Sequence, residues 1–125
     1  EDLAWLYPGK SLSQAILECR NVCSAVLLIV TLGSEGSVGF IGDIEVRLPA
    51  KSLTKMLDTV GAGDTFMATI LVHLIEMGYI SRVKLRSLEK RSLYRAMSRA
   101  TLAAAINCER IGCDPPRKNE LEKGN

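Results

Sequence analysis

Aromatic residues are scarce in this 125-residue chain, at 5% of positions, and histidine occurs once. The scarcity argues against a nucleic-acid partner, because proteins that hold unpaired bases stack them on interleaved aromatic rings. Seven basic residues do lie between Ile80 and Arg99 (Arg82, Lys84, Arg86, Lys90, Arg91, Arg95 and Arg99) against one acid, Glu89. Tyr94 is the only aromatic among them. That stretch reads as a solvated helix face carrying Arg91, Arg95 and Arg99. Long apolar runs are also missing: the longest, Ala25 to Val30, is far too short to span a bilayer. A net charge of +2 gives no reason to expect an anionic membrane surface as partner. The chain opens on Glu1-Asp2 rather than a basic and apolar leader, so the expected location is the cytoplasm.

Cysteine is present four times, as Cys19, Cys23, Cys108 and Cys113, but never in a C-x-x-C pair. The spacing does not suit a common structural zinc site, and nothing supports disulfides, so reduced, partly buried thiols are expected. Hydrophobic content of 47% and charged content of 24% suit one soluble globular domain of ordinary size.

Hydrophobic periodicity divides the chain into a short helix over 11–21, with Ala15, Ile16 and Cys19 as its apolar side, and an apolar, β-branched run over 24–32. The latter predicts a strand buried on both faces. Segments 37–41 and 44–48 predict a hairpin turning at Gly42-Asp43. A loop over 49–57 follows, then a helix from Asp64 to Met77 that Gly78 stops. This helix is apolar except for a stripe of Thr65, Thr69, His73 and Glu76, so burial on most sides is expected. The lone His73 reads as a surface residue. A second helix is expected over about 87–108, with Leu93, Met97, Ala100, Ala104 and Cys108 facing the core. Residues after Pro116 form a polar tail expected to fray.

The most informative stretch is Asp58-Thr59-Val60-Gly61-Ala62-Gly63-Asp64-Thr65-Phe66. Gly61, Ala62 and Gly63 have little or no side chain, so their backbone N–H groups can approach a charged oxygen closely. A helix starting here adds its unpaired N–H groups and positive dipole end. Asp64 then stands where an anion would, which costs energy unless the carboxylate has a task. Taking the proton from a hydroxyl that attacks a phosphate is such a task. The plain alternative is that Asp64 is a helix N-cap. Asp58 likewise has a loop or Asx-turn reading, and Thr31, Gly33 and Gly36 read equally as strand-ending and turn residues.

These residues resemble the signature of the ribokinase-like (PfkB) carbohydrate kinases. Val30-Thr31-Leu32-Gly33-Ser34-Glu35-Gly36 is similar to the strand and turn that receive the nucleotide in that family, Asn107 to Pro116 to its closing segment, and Glu1 to Gly9 to the mid-chain segment of its fructokinase branch. The matches come in family order. The resemblance implies an α/β fold, the C-terminal part of a ribokinase-like three-layer α/β/α sandwich, with residues 1–116 in the kinase domain and 117–125 as a polar tail. It implies that ATP, with Mg²⁺, phosphorylates a sugar hydroxyl, most specifically that of D-fructose. Asp64 would be the base, and Gly61, Ala62 and Gly63 the anion hole. Thr31, Gly33, Gly36, Gly63 and Gly112 would contact nucleotide, and Asp58 with the Val60 carbonyl would hold a monovalent cation such as K⁺. Asn107 and Glu109 stand where the family has small or hydroxyl residues. Family members run to more than twice this length, so the expected state is a chain completed by an N-terminal half, or a homodimer. A nucleotide-binding module without autonomous activity is the rival reading.

Overall fold

The computed structural model describes residues 2–122. Its first element, α1 (Asp2–Leu6), leads into α2 (Leu12–Val22). Ser11 caps α2 through a capping box, its side chain accepting from the Gln14 N–H while the Gln14 side chain accepts from the Ser11 N–H. Three strands follow: β1 (Leu27–Thr31), β2 (Ser37–Ile41) and β3 (Ile44–Leu48). A 3₁₀ turn over Gly33–Glu35 joins the first two strands, and Gly42-Asp43 joins the second and third, as the sequence predicts. The sheet is antiparallel in the order β1-β2-β3, with Ile29 opposite Gly39 and Gly39 opposite Val46.

The helical layer consists of α3 (Ala62–Glu76), the single turn α4 (Arg82–Leu85), α5 (Lys90–Cys108) and α6 (Lys118–Glu122). Helix α5 packs on β3 and β2, and α3 packs along α5. Gly39 permits the close approach of α5: a Cβ there would lie 2.7 Å from the sulfur of Met97. Phe66, Ile70 and Leu74 of α3 join Leu93, Ala96, Met97 and Ala100 of α5 in the main core, with Leu27 and Ile29 packed against it. Ile16 of α2, Val38 and Phe40 form a second core, against which Leu28 and Val30 pack. Helices therefore lie on both sides of the sheet, the three-layer α/β/α arrangement expected from the resemblance. Burial of each large apolar side chain stabilises this assembly by roughly 1.5–3 kcal/mol relative to exposure.

Four expectations need correction. The strand buried on both faces is β2, all five of whose residues are buried; β1 is an edge strand and only half-buried. Strand β1 is apolar on both faces, but among the described residues only β2 lies beside it. Helix α3 is not covered on most sides, because one face carries Met67, Leu71, Val72 and Ile75 largely exposed. The second long helix starts at Lys90 instead of near Ser87, because Ser87 bonds back to the Lys84 carbonyl at the end of the α4 turn and Leu88 turns into the core. The tail beyond Pro116 does not fray at its start. Helix α6 buries Leu121 and is pinned by ion pairs of Lys118 with Glu76 (2.7 Å) and of Glu120 with Arg110.

Candidate active site

The chain reaches α3 through a tight turn that the sequence specifies at Gly61. This residue is the N-cap of α3, at φ 75° and ψ 3°, a left-handed conformation that glycine adopts without steric cost. A Cβ on Gly61 would lie 2.2 Å from the Cys113 sulfur, so the thiol packs directly on the turn. With Gly61 as cap, Asp64 occupies the third helical position and is not the N-cap. Its carboxylate is exposed and has no hydrogen-bond or ionic partner among the described residues. The Ala62 N–H donates to the Thr59 carbonyl at 3.2 Å, closing the turn. The Gly61, Gly63 and Asp64 N–H groups have no acceptor among the described residues. Of the amides expected to hold an anion, that of Ala62 is engaged in the turn, and the Asp64 amide is open beside them.

Two cavities flank this helix end. A cleft of about 650 Å³ is lined by Thr31, Gly33 and Gly36, by Ala62, Gly63 and Phe66, by the 50–56 loop, and by Thr101, Ala104, Ala105 and Cys108 of α5. Its volume falls in the usual range for small-molecule and cofactor sites. A second groove of about 420 Å³ holds Asp64, Thr65, Thr69 and Val72 on one wall, with Arg99, Cys113, Lys118 and Leu121 across from them. The end of α3 therefore lies between a chamber that Ala62 and Gly63 line and a chamber containing a free carboxylate.

Asp58 works from the side of the turn. Its Oδ1 accepts from the Val60 N–H (2.9 Å) and its Oδ2 from the Gly112 N–H (3.0 Å). These two backbone bonds, Val60 first, hold the carboxyl below the usual carboxylate range. The Asx-turn reading of Asp58 is correct as local geometry, and the same side chain also clamps Gly112. Gly112 accordingly belongs to this clamp and does not line the 650 Å³ cleft. The loop before the turn is stitched to the end of α5 as well: the Leu57 and Asp58 N–H groups donate to the Cys108 carbonyl, and the Thr54 N–H to the Glu109 carboxylate.

Asn107, the first residue of the closing segment and a departure from the family pattern, completes the clamp. Fully buried, it donates from Nδ2 to the Val60 carbonyl at 2.8 Å, and its Oδ1 has no partner among the described residues. Its signal in sequence was a polar residue on the apolar face of α5. The Asp58 carboxylate, the Val60 carbonyl and this orphaned amide oxygen are all hard oxygen donors, and so fit a monovalent cation in kind. Among the described residues, no cluster of three or more His, Cys, Asp or Glu side chains could hold a metal ion.

His73 is not the surface residue expected. Both ring nitrogens are shielded from solvent and unpartnered among the described residues, although part of the ring remains open. Burial lowers the pKa of the imidazole; Arg99 and Arg95 act in the same direction and Glu76 opposes them. A base whose pKa is depressed by folding takes up protons more readily in the unfolded chain. Stability is therefore complete above the unfolded pKa of about 6.5 and is lost as pH falls below it. The melting temperature should drop between pH 7.5 and 5.5, and His73→Gln should flatten that part of the profile. An unchanged slope in the variant would assign the pH dependence elsewhere.

The pfkB family carbohydrate kinase model matches residues 9–120. The chain belongs to the pfkB carbohydrate kinase family. A fructokinase of Rhizobium leguminosarum bv. trifolii is 39% identical over 69 residues, 55% of this chain and 21% of that protein. A putative sugar kinase of Pyrococcus horikoshii is 32% identical over 119 residues, 91% of this chain and 34% of that protein. The crystal structure of a fructokinase from Vibrio cholerae O395, in a form with fructose, ADP and calcium ion bound, superposes with a TM-score of 0.75 at 21% identity. It covers 97% of this chain and 37% of that one. The chain thus spans about a fifth to a third of the length of these curated relatives. The pfkB match takes in the hairpin, the Asp58–Phe66 turn and most of α6. Among the described residues, no helix is long and apolar enough to cross a membrane.

Proposed function

We propose that this chain carries the phosphoryl-transfer machinery of an ATP-dependent sugar kinase that converts D-fructose to fructose 6-phosphate. The observation that supports it best is the division of the two cavities by the end of α3. Nucleotide would occupy the 650 Å³ cleft, against Thr31, Gly33 and Gly36. The Gly61 and Gly63 amides, joined by that of Asp64, would face the transferring phosphoryl oxygens, donors set in place before charge develops. The sugar hydroxyl would approach from the other groove, where Asp64 takes its proton as the oxygen attacks the γ-phosphorus. The bond from that phosphorus to the bridging oxygen breaks and ADP leaves.

Mg²⁺ would arrive with ATP and neutralise its phosphate charge. Asp58 and Val60 would hold a monovalent cation beside the turn, with Asn107 fixing the Val60 carbonyl. All four cysteines are free, which suits the cytoplasm as the working compartment.

The test is ADP release by the purified chain with ATP and Mg²⁺, in fructose, in ribose, and without sugar. Release that rises and saturates with fructose supports the reading, and equal release in all three removes the sugar. A second reading is favoured by the short span of the chain relative to its relatives: a nucleotide-binding portion that turns over only when completed. It predicts measurable ADP binding without sugar-stimulated release.

A further inference from the structure

Away from both cavities, the end of α2 carries a pair of thiols that phosphoryl transfer does not use. Neither the 650 Å³ cleft nor the 420 Å³ groove is lined by a residue of α1 or α2. Cys19 lies in the last turn of α2 and Cys23 is its C-cap, the Cys23 N–H donating to the Cys19 carbonyl at 2.8 Å. The φ of Cys23, −78°, is still helical, and only its ψ of 135° leaves the helix. The two side chains therefore keep the i, i+4 relation and leave the same face. Both thiols are free and half-buried. That of Cys19 lies beside that of Cys23, and the Tyr7 hydroxyl, just after α1, reaches it as well.

The spacing decides what such a pair can hold. Cβ atoms four residues apart on a helix are about 5–6 Å apart, whereas a disulfide draws them to about 3.8 Å. A direct S–S bond would distort the end of α2. A single atom bonded to both sulfurs, at roughly the 2.3 Å of a metal–thiolate bond, bridges the pair with the backbone in place. Structural zinc takes four ligands, and among the described residues no third His, Cys, Asp or Glu joins the two thiols. Two thiolates alone suit a soft cation, and monovalent copper is the ion that soft sulfur ligands select at so low a coordination number.

We propose that Cys19 and Cys23 form a two-coordinate site for Cu(I) at the end of α2. Binding breaks both S–H bonds, forms two Cu–S bonds and releases two protons, with no change of oxidation state. The Tyr7 hydroxyl donates to the Cys19 thiolate so formed and offsets part of its charge. The ion fastens the last turn of α2 where the chain leaves it for β1. The site is independent of the sugar-kinase reading.

The test titrates the reduced chain with Cu(I), without oxygen, against the chromophoric chelator bicinchoninate. One equivalent should bind to the monomer, and Cys19→Ser or Cys23→Ser alone should weaken binding at least tenfold. The double variant Cys108→Ser, Cys113→Ser should bind as the parent does. Cu(I) should raise the melting temperature of the parent and of that double variant but not of the two single variants. Alkylation by iodoacetamide, read by mass spectrometry, checks the parent without substitution: Cu(I) should slow it at Cys19 and Cys23 and leave Cys108 and Cys113 unchanged. No copper uptake overturns the proposal. So does uptake indifferent to the loss of Cys19 or Cys23, protection of Cys108 or Cys113 instead, or copper held only between two copies of the chain.

Discussion

Asp64→Asn should lower sugar-dependent ADP release by roughly 10²–10⁴-fold, the range that a positioned general base contributes. The substitution is nearly isosteric and keeps the third helical position of α3, so the turn at Gly61 and the free amides stay in place. ADP affinity should remain within about twofold, because the cleft assigned to nucleotide lies on the other side of the helix end. The pair of measurements separates a base from a binding residue. A base acts only in the transition state, so its loss appears in turnover and not in ground-state affinity. The assay uses the chain in whichever state turns over, alone or completed. A loss of turnover under tenfold would remove Asp64 from the reaction. A parallel loss of ADP affinity would make it part of the nucleotide site.

The largest effect on stability is expected from Gly36→Ala. Gly36 sits at φ 98° and ψ −129°, a backbone region that side-chain-bearing residues avoid. A Cβ there would meet the Leu48 carbonyl oxygen at 2.0 Å and both the Ala50 nitrogen and the Pro49 carbonyl carbon at 2.6 Å. These are backbone atoms at the end of β3, which cannot swing aside as a side chain can. The cost should be on the order of 3 kcal/mol or more, a fall in melting temperature of roughly 10 °C or greater for a chain of this size. Gly33→Ala is the control. That residue also has positive φ, at 58°, but open space around its missing Cβ, so only the conformational penalty of about 1–2 kcal/mol applies. Equal losses in the two variants would show that backbone strain decides the effect and that crowding against β3 adds nothing. Because both glycines line the 650 Å³ cleft proposed for nucleotide, weaker ADP binding should accompany the loss at Gly36.

Local chemistry alone determined much of this protein. The Gly42-Asp43 hairpin, the capped start of α2, the stop at Gly78 and the turn at Gly61 depend on residues a few positions apart, so their signals lie in the sequence itself. Asp64 and the small residues before it are legible for the same reason: an amide-lined helix end is a local construction. The order of the motifs also carried the family, which the pfkB match then showed.

Tertiary structure decided what depends on contact between distant segments. Whether an apolar strand is central or at an edge depends on neighbours, and so the doubly buried place expected of β1 falls to β2. Helix α3 has apolar residues nearly all round, and only packing separates the face against α5 from the one left open. Gly112 is tied to Asp58, and Asn107 to Val60, through bonds spanning 54 and 47 residues. The shielding of His73 and the docking of α6 likewise arise between helices far apart in the chain. The physical reason is common to all of these. Backbone geometry and small residues act within a turn or two, whereas burial and hydrogen-bond pairing are properties of two surfaces that meet only when the chain is folded.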